Sequence, residues 1–498
     1  MKLLGIRICE HDSNFAFFDG STVKYHKIER TKQIKHFAYN SLTDWISDFE
    51  SIFDTEISTI DEIAIVFDPW NYNIPLVEEN FFPYVGFDHF NLPVKVYRLN
   101  HHYAHALSTW MLDPVPYDKA IIIDGFGDHD IAWSVFDKNG IVKTGSHKTN
   151  GSIGTEMAQA GKFLGITAEH GIDIAGKLMG LQAYGRIDID FLEHLQQYNI
   201  EHVLKIFDVK EWLHFKGQVI GQNSFLDWIA TVHKRIEQVL INFFNKFCDV
   251  DERIVYAGGV AQNVLWNTAL KNKFSNLIIP PHCADDGLSL GALEFLRLKN
   301  DLHSFTLDDF PFCQQDVAPV TKVTDETIDI VADLLAQGKT VGWYQDYGEV
   351  GPRALGNRSI LVNPLLENAK EITNTIKNRE EYRPFGASVL NEHKDLYFNG
   401  LHDNPFMLFV GECINDSIKS IRHIDNTCRV QTVDKNGTSF RRLLEKFYEK
   451  TGCPVLLNTS LNIAGKPLAG NPKDSGEVFK NTKLDCLVIG NDYAVKEI

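Results

Sequence analysis

Ala120-Ile121-Ile122-Ile123-Asp124-Gly125-Phe126-Gly127-Asp128-His129-Asp130 reads as a buried strand that stops at an acidic, glycine-broken turn. A second strand runs back from Ile131 to Phe136, and Asp137-Lys138-Asn139-Gly140 turns the chain into a return strand from Ile141. The opening of the chain has the same form. Lys2 to Ile8 is a strand, Cys9-Glu10-His11-Asp12-Ser13-Asn14 a polar turn, and Phe15 to Phe18 a second strand that returns through Asp19-Gly20 into Thr22 to Ile28. Two such units point to an internal duplication. Paired halves whose first turns face each other across a cleft are how ribonuclease-H-like and actin-like nucleotide proteins are built, which is an analogy of fold and not of function.

Further buried strands are predicted at Asp61 to Phe67 and Val94 to Leu99, the second delivering Asn100-His101-His102-Tyr103-Ala104-His105-Ala106 to its end. On a helix, His101 and His105 share one face and can hold one metal ion; alone, the pair reads equally well as a surface or capping pair. Apolar residues at helical spacing from Phe225 to Phe247 predict an amphipathic core helix. Two strand-to-helix joints follow. At Gly258-Gly259, before Val260-Ala261-Gln262-Asn263, the glycines allow backbone N–H groups to approach a phosphate or ribose, or serve as a tight turn. At Ala284-Asp285-Asp286-Gly287 an acidic residue opens a helix, where it is either a cap or, beside His101, His105 and Asp124, a fourth metal ligand.

The chain has 498 residues, which is more than one core accommodates, and 44% hydrophobic with 23% charged residues is the balance of a globular protein. No apolar run reaches membrane-spanning length and the first residues do not form a signal peptide, so a cytoplasmic protein that binds no membrane is expected. A net charge of −17 argues against a broad cationic face for nucleic acid, although Lys32 to His36 is a local basic run. Eight cysteines stand singly, so neither a disulfide framework nor a thiolate zinc site is indicated; Cys9 and Cys283 read as small buried hydrophobes.

Phe310 to Val320 reads as a linker, beyond which a helix from Asp325 to Gln337 and a strand from Thr340 to Tyr344 begin a second domain. That part concentrates basic residues beside glycines, in Gly351-Pro352-Arg353 through Ser359 and Lys377-Asn378-Arg379-Glu380-Glu381-Tyr382-Arg383-Pro384-Phe385. In so acidic a chain this pattern points to an anion site, because guanidinium forks match phosphate geometry. Arg429-Val430-Gln431-Thr432 and Leu457-Asn458-Thr459-Ser460-Leu461-Asn462 add another Arg and a hydroxyl-amide cluster.

Taken in order with Glu29-Arg30, Lys35-His36, Gly176-Lys177-Leu178-Met179-Gly180-Leu181 and Asp285-Asp286-Gly287, these segments resemble the O-carbamoyltransferases of the nodulation-factor, cephamycin and tobramycin type, over nearly the whole chain. The resemblance implies an α/β tandem enzyme: a duplicated ribonuclease-H-like (actin-like) domain over 1–315 and a YrdC-like domain over 322–498. It implies ATP-dependent transfer of carbamoyl from carbamoyl phosphate, by way of carbamoyl-adenylate, to a hydroxyl of a small molecule, sugar or modified nucleoside. The family's metal ligands fall on His101, His105, Asp124 and Asp285, normally to iron, though this ligand set also suits manganese or zinc. Carbamoyl phosphate and ATP, with its Mg, fall to Arg353, Lys377, Arg383, Arg429, Asn458 and Ser460, with Ser460 also near the reacting adenylate. Lys35, Gly176, Lys177, Gly258, Gly259 and Asn263 would hold the adenylate in the transfer domain, and His11 is the candidate base for the acceptor hydroxyl.

The sequence departs from the family at Asp346-Tyr347-Gly348-Glu349-Val350, at Leu178, Gln182 and Ala183, and at Leu461 and Lys466, all bordering nucleotide positions. The chain is also short for the family, which suggests trimmed acceptor loops and room for a bulky acceptor. Two alternatives stay open: carbamoylation of a hydroxymethylated base in nucleic acid, and a nucleotide-binding actin-like regulatory protein without transferase activity. A homodimer is compatible with either.

Overall fold

The computed structural model describes residues 1–8, 10–67, 84–85, 92, 94–109, 117–217, 222–305, 307, 309–317, 323–435 and 437–496. Cys9 and linker positions 318–320 lie outside the described residues. The chain divides into two units, one of Met1–Val23 and Ala38–Thr306, the other of Lys24–Phe37 and Leu307–Ile498. Segment 24–37 joins the second unit through specific bonds: Lys27 N–H donates to Gln314 Oε1 at 2.9 Å, and Arg30 Nη2 to the Glu349 carbonyl at 3.2 Å. No helix among the described residues is long and apolar enough to cross a membrane.

The duplication read from the sequence appears in the strand pairing of the first unit. Strand Leu3–Arg7 pairs antiparallel with Asn14–Phe18 and parallel with Glu62–Val66, which pairs parallel with Lys95–Arg98. Strand Lys119–Ile123 repeats this, antiparallel to Ile131–Asp137 and parallel to Ile254–Ala257, which pairs parallel with Leu277–Ile278. Each half is thus a hairpin followed by two parallel crossover strands, the ribonuclease-H-like arrangement. Its first strands are almost wholly buried because Leu3, Leu4, Ile6, Ile121 and Ile122 have packing on both faces.

Helix Leu288–Lys299 lies against strand Leu3–Arg7 and against helix His101–Ser108. Two missing side chains permit this approach. A Cβ on Gly5 would stand 2.2 Å from the Ser289 carbonyl oxygen, and one on Gly291 only 1.8 Å from that of Ala104. The strand, the histidine-bearing helix and the helix that follows Asp285 are therefore pressed together at backbone distance. Gly291→Ala must force them apart, and a loss of about 1–3 kcal/mol is expected from overpacking, measured by urea denaturation.

Among the described residues, the second unit is built on a nine-stranded mixed sheet. Its central strands run Thr427–Val433, Gly386–Leu390, Val455–Ser460, Arg358–Val362, Val341–Tyr344 and Cys486–Ile489. Helices Asp325–Ala336 and Ser439–Thr451 contribute Ile328, Val331, Leu335, Leu443, Leu444 and Phe447 to one core with the strand residues. The predicted helix and strand that open this part are found within a residue of their expected ends.

Candidate functional site

Helix His101–Ser108 begins where strand Lys95–Arg98 ends, with the Asn100 side chain capping it by accepting the Tyr103 N–H at 3.1 Å. Four-residue spacing then brings His101 and His105 side by side, their Nε2 atoms 3.1 Å apart. Asp124, at the end of strand Lys119–Ile123, places Oδ2 3.3 Å from His101 Nε2 and 3.1 Å from His105 Nε2. Asp285 completes the group, with Oδ1 at 3.4 and 3.5 Å from the same nitrogens. One ligand atom from each of the four lies within 4.8 Å of all the others.

The donor set fits a divalent metal. A buried carboxylate, Asp285, a half-buried one, Asp124, and two converging imidazole nitrogens are costly to bring together unless a cation sits among them. Burial disfavours the His101 cation, yet the Asp285 charge and hydrogen bonds to Asp124 and Asp285 outweigh it and hold the imidazole at about 10. Burial likewise raises Asp124 and Asp285, but His101 and His105 beside the first, and His101, His11 and Arg7 beside the second, bring both below the usual carboxylate range.

The surrounding residues hold the ligands in position. Asp124 Oδ1 accepts the N–H groups of Gly125 at 2.6 Å and Gly259 at 3.1 Å. Arg7 is fully buried and its Nη2 reaches Asp285 Oδ2 at 2.9 Å. Asn14 donates to the Asp285 carbonyl at 2.9 Å and accepts the Ser289 N–H at 3.1 Å, fixing the turn that carries Asp285. His102 bonds Ser134 Oγ through Nδ1 at 2.8 Å, and burial together with the His101 charge pushes it down to about 3, so it stays neutral.

His11 stands at the rim, a third of its side chain exposed, with Nδ1 2.9 Å from Asp12 Oδ2 and 3.8 Å from Asp285 Oδ2. Burial lowers its pKa, but the charges of Asp285 and Asp12 raise it further than burial lowers it.

The residues read from sequence as adenylate contacts are placed individually. Gly258, at φ +95°, meets the end of strand Lys119–Ile123 so closely that a Cβ would lie 2.3 Å from the Ile123 carbonyl oxygen. Gly259 spends its N–H on Asp124. Asn263 caps helix Val264–Lys273 through the N–H groups of Leu265 and Trp266, both at 3.2 Å. Lys177 donates to the Thr167 carbonyl at 2.7 Å, Gly176 is exposed, and Lys35 belongs to the segment that joins the second unit.

The second unit carries the basic group. Lys377, the last residue of helix Ala369–Lys377, is 5% exposed, and its Nζ donates to the carbonyls of Ser460 at 2.7 Å and Asn462 at 2.8 Å and to the Asn462 side chain. Burial lowers Lys377 well below the ordinary ammonium value, and the charges of Arg379 and Arg383 lower it further. Arg429 is lowered the same way, by burial and then by Arg353, Arg379 and Arg383. Arg429 Nε is buried without a hydrogen-bond partner among the described residues. Arg353, Lys377, Arg379, Arg383 and Arg429 are near enough for their charges to repel, Glu380 lies 3.5 Å from Arg383, and a group of cations of this kind suits a multiply charged anion.

A carboxylate organises the loop that presents Arg353. Glu349 is wholly buried, and its Oε1 accepts three backbone N–H groups, from Leu355 and Asn357 at 2.8 Å and Arg358 at 3.0 Å. Asn458 backs the same loop, donating to Ser388 Oγ at 2.9 Å and to the Ala354 carbonyl at 3.3 Å.

Sequence reasoning singled out the four clustered ligands and four of the five cations. It passed over Arg7, Asn14 and Asp128 at the first site, and Arg379 and Asn462 at the second. Arg7 had a visible signal, a lone charge ending an otherwise apolar strand.

The family model described as the carbamoyltransferase N-terminus matches residues 87–293, and that of the carbamoyltransferase C-terminus matches 332–496. The chain belongs to the carbamoyltransferase family. Nodulation protein NolNO of Sinorhizobium fredii is 30% identical to this carbamoyltransferase over 450 residues, covering 81% of this chain and 64% of that one. The 3'-hydroxymethylcephem-O-carbamoyltransferase of Amycolatopsis lactamdurans is 29% identical over 346 residues, 64% of each chain. Among solved structures, HypF of T. kodakarensis overlaps 61% of this chain and 48% of its own, at 12% identity and a TM-score of 0.40, too low to bear on function. The matched segments contain His101, His105, Asp124 and Asp285 in the first case and all five cations in the second.

Proposed function

We propose that this carbamoyltransferase takes carbamoyl phosphate and ATP, forms carbamoyl-adenylate in its second, YrdC-like unit, and transfers the carbamoyl group to a hydroxyl of a small molecule, sugar or modified nucleoside. The observation that carries this reading is the self-repelling group of Arg353, Lys377, Arg379, Arg383 and Arg429, in a chain of net charge −17. Both proposed substrates are polyanions, and their binding relieves that repulsion. Activation balances as two steps: water cleaves carbamoyl phosphate to carbamate and phosphate, and a carbamate oxygen then bonds to the α-phosphorus of ATP as the bond to pyrophosphate breaks, the pyrophosphate leaving with charge that these cations stabilise as it develops. Lys377 reaches the Ser460 and Asn462 carbonyls, which fixes its ammonium beside the Ser460 hydroxyl, 3.3 Å away.

In the first unit, His101, His105, Asp124 and Asp285 would hold iron or another divalent ion, which when bound would polarise the carbamoyl carbonyl as a Lewis acid. His11 would take the proton of the acceptor hydroxyl. With Nδ1 on Asp12, the other ring nitrogen is the one presented for that proton, and Asp12 stabilises the imidazolium that forms. The C–O bond to the acceptor forms as the bond to adenylate breaks, and AMP leaves. The names of two relatives, a nodulation protein and a cephem carbamoyltransferase, support O-carbamoylation of a small molecule.

The test is a pyrophosphate assay on the whole chain. Release is expected only when ATP, Mg and carbamoyl phosphate are all present; ATP turnover without a requirement for carbamoyl phosphate would favour a nucleotide-binding protein of another kind.

A further inference from the structure

Asp128 lies four residues after Asp124 on the same turn, outside the group of four whose ligand atoms converge. Both its oxygens are engaged by the neighbouring strand and helix. Oδ1 pairs with Arg98 Nη2, at the end of strand Lys95–Arg98, and Oδ2 accepts the backbone N–H of His101 at 2.9 Å. That N–H is one of the first-turn donors a helix cannot satisfy internally, and a carboxylate at a helix N-terminus also meets its positive end. Both partners of this ion pair are about 5% exposed, so it is shielded from water and holds its geometry more firmly than a surface pair.

The consequence concerns distance. Asp124 sits on the turn, while His101 and His105 sit on the helix. The turn runs hard against the first helical residues: a Cβ on Gly127 would meet His102 Cδ2 at 2.7 Å and His101 Cβ at 3.2 Å. Among the described residues, Asp128 is the one side chain of that turn bonded both to the strand that enters the helix and to the helix's first N–H.

We propose that Asp128, braced by Arg98, is a positioning residue that sets the separation of Asp124 from His101 and His105 and so tunes metal affinity without touching the ion. The inference rests on reading the four-residue cluster as a metal centre.

The test is titration of the full-length, metal-free chain with Mn(II), following free Mn(II) by its electron paramagnetic resonance signal, with melting of the metal-free proteins alongside. Asp128→Asn is expected to weaken Mn(II) binding about 10- to 100-fold, as loss of a supporting partner does at metal sites. Arg98→Met, which alters no group near enough to ligate, is expected to weaken it similarly, and the double variant about as much as the stronger single one, because both break one strap. Arg98→Lys keeps the charge but not the fork; should Arg98→Met fail to fold, about a tenfold loss in Arg98→Lys is the expected result. Wild-type affinity in folded Arg98→Met or Arg98→Lys would overturn the proposal, even if Asp128→Asn were impaired, since Asp128 would then act as a ligand itself. Equal Mn(II) affinity in all variants, with only the melting temperature lowered, would overturn it too. Absence of any Mn(II), Fe(II) or Zn(II) binding by the wild type would instead overturn the metal reading beneath it.

Discussion

His105→Ala is expected to lose divalent metal and all transfer to a hydroxyl acceptor while releasing pyrophosphate from ATP and carbamoyl phosphate within about twofold of the wild-type rate. His105 is wholly buried, and its Nε2 is within 3.5 Å of one oxygen of each carboxylate. Supporting residues around a metal are worth about 10- to 100-fold in affinity, so removal of a ligand itself should exceed 100-fold. Stability pulls in two directions. The deletion opens a cavity and removes the hydrogen bond from His105 to Asp124 and its charge contact with buried Asp285, yet His101 and Arg7 still compensate Asp285. A net loss of about 2–4 kcal/mol is expected, and His105→Gln, which fills most of the space, serves as the folded control. Metal content by elemental analysis, pyrophosphate release and carbamoyl transfer by mass shift are the three readouts. A parallel fall in pyrophosphate release would show that activation and transfer are not divided between the two sites.

The division into sites was legible because each depends on local patterns. A strand that ends in Asp124-Gly125-Phe126-Gly127 and a helix that spaces His101 from His105 are one-dimensional signals, and the repeat of the first in Lys2 to Asn14 carried the duplicated fold. Asp285 was different: as an acidic residue opening a helix it reads as a cap, and only the company of His101, His105 and Asp124, together with its likeness to a family position, made it a candidate ligand. The structure gives it no capping role and sets it between His101 and Arg7. What stayed hidden was hidden by distance along the chain. Arg7 meets Asp285 across 278 residues, and no periodicity encodes that pairing. Gly5 and Gly291 look like ordinary glycines until the backbones they admit are seen beside them. Thr22 to Ile28 reads as the returning strand of a hairpin and Lys32 to His36 as a basic run, but Lys27 and Arg30 find their partners at Gln314 and Glu349, so the membership of segment 24–37 is decided by tertiary bonds rather than by its own propensity.

The cationic cluster of the second unit makes the second strong demand. Lys377→Met is expected to lower carbamoyl-phosphate-dependent pyrophosphate release by about 10³-fold, comparable to removing one well-placed donor from a developing anion. Methionine keeps much of the buried volume, so the loss is of charge rather than of packing. Removing the ammonium also removes its repulsion with Arg379 and Arg383, which together with burial holds Lys377 well below its ordinary value. The carbonyls of Ser460 and Asn462 lose a donor in exchange, and these opposing terms should leave unfolding free energy within about 1 kcal/mol of wild type. Ligand-induced stabilisation separates the cases. Carbamoyl phosphate should raise the melting temperature of the wild type, because an anion that binds only the folded, self-repelling cluster shifts the equilibrium toward it. The same addition should do little for Lys377→Met. Arg383→Ala is expected to be milder, about tenfold, since its side chain is a third exposed and already paired with Glu380. If Lys377→Met kept its pyrophosphate release but lost metal, activation would have to be sought in the first unit. With release lost and metal content unchanged, the cationic cluster is where the carbamoyl group is activated, and the histidine-aspartate centre acts only after it.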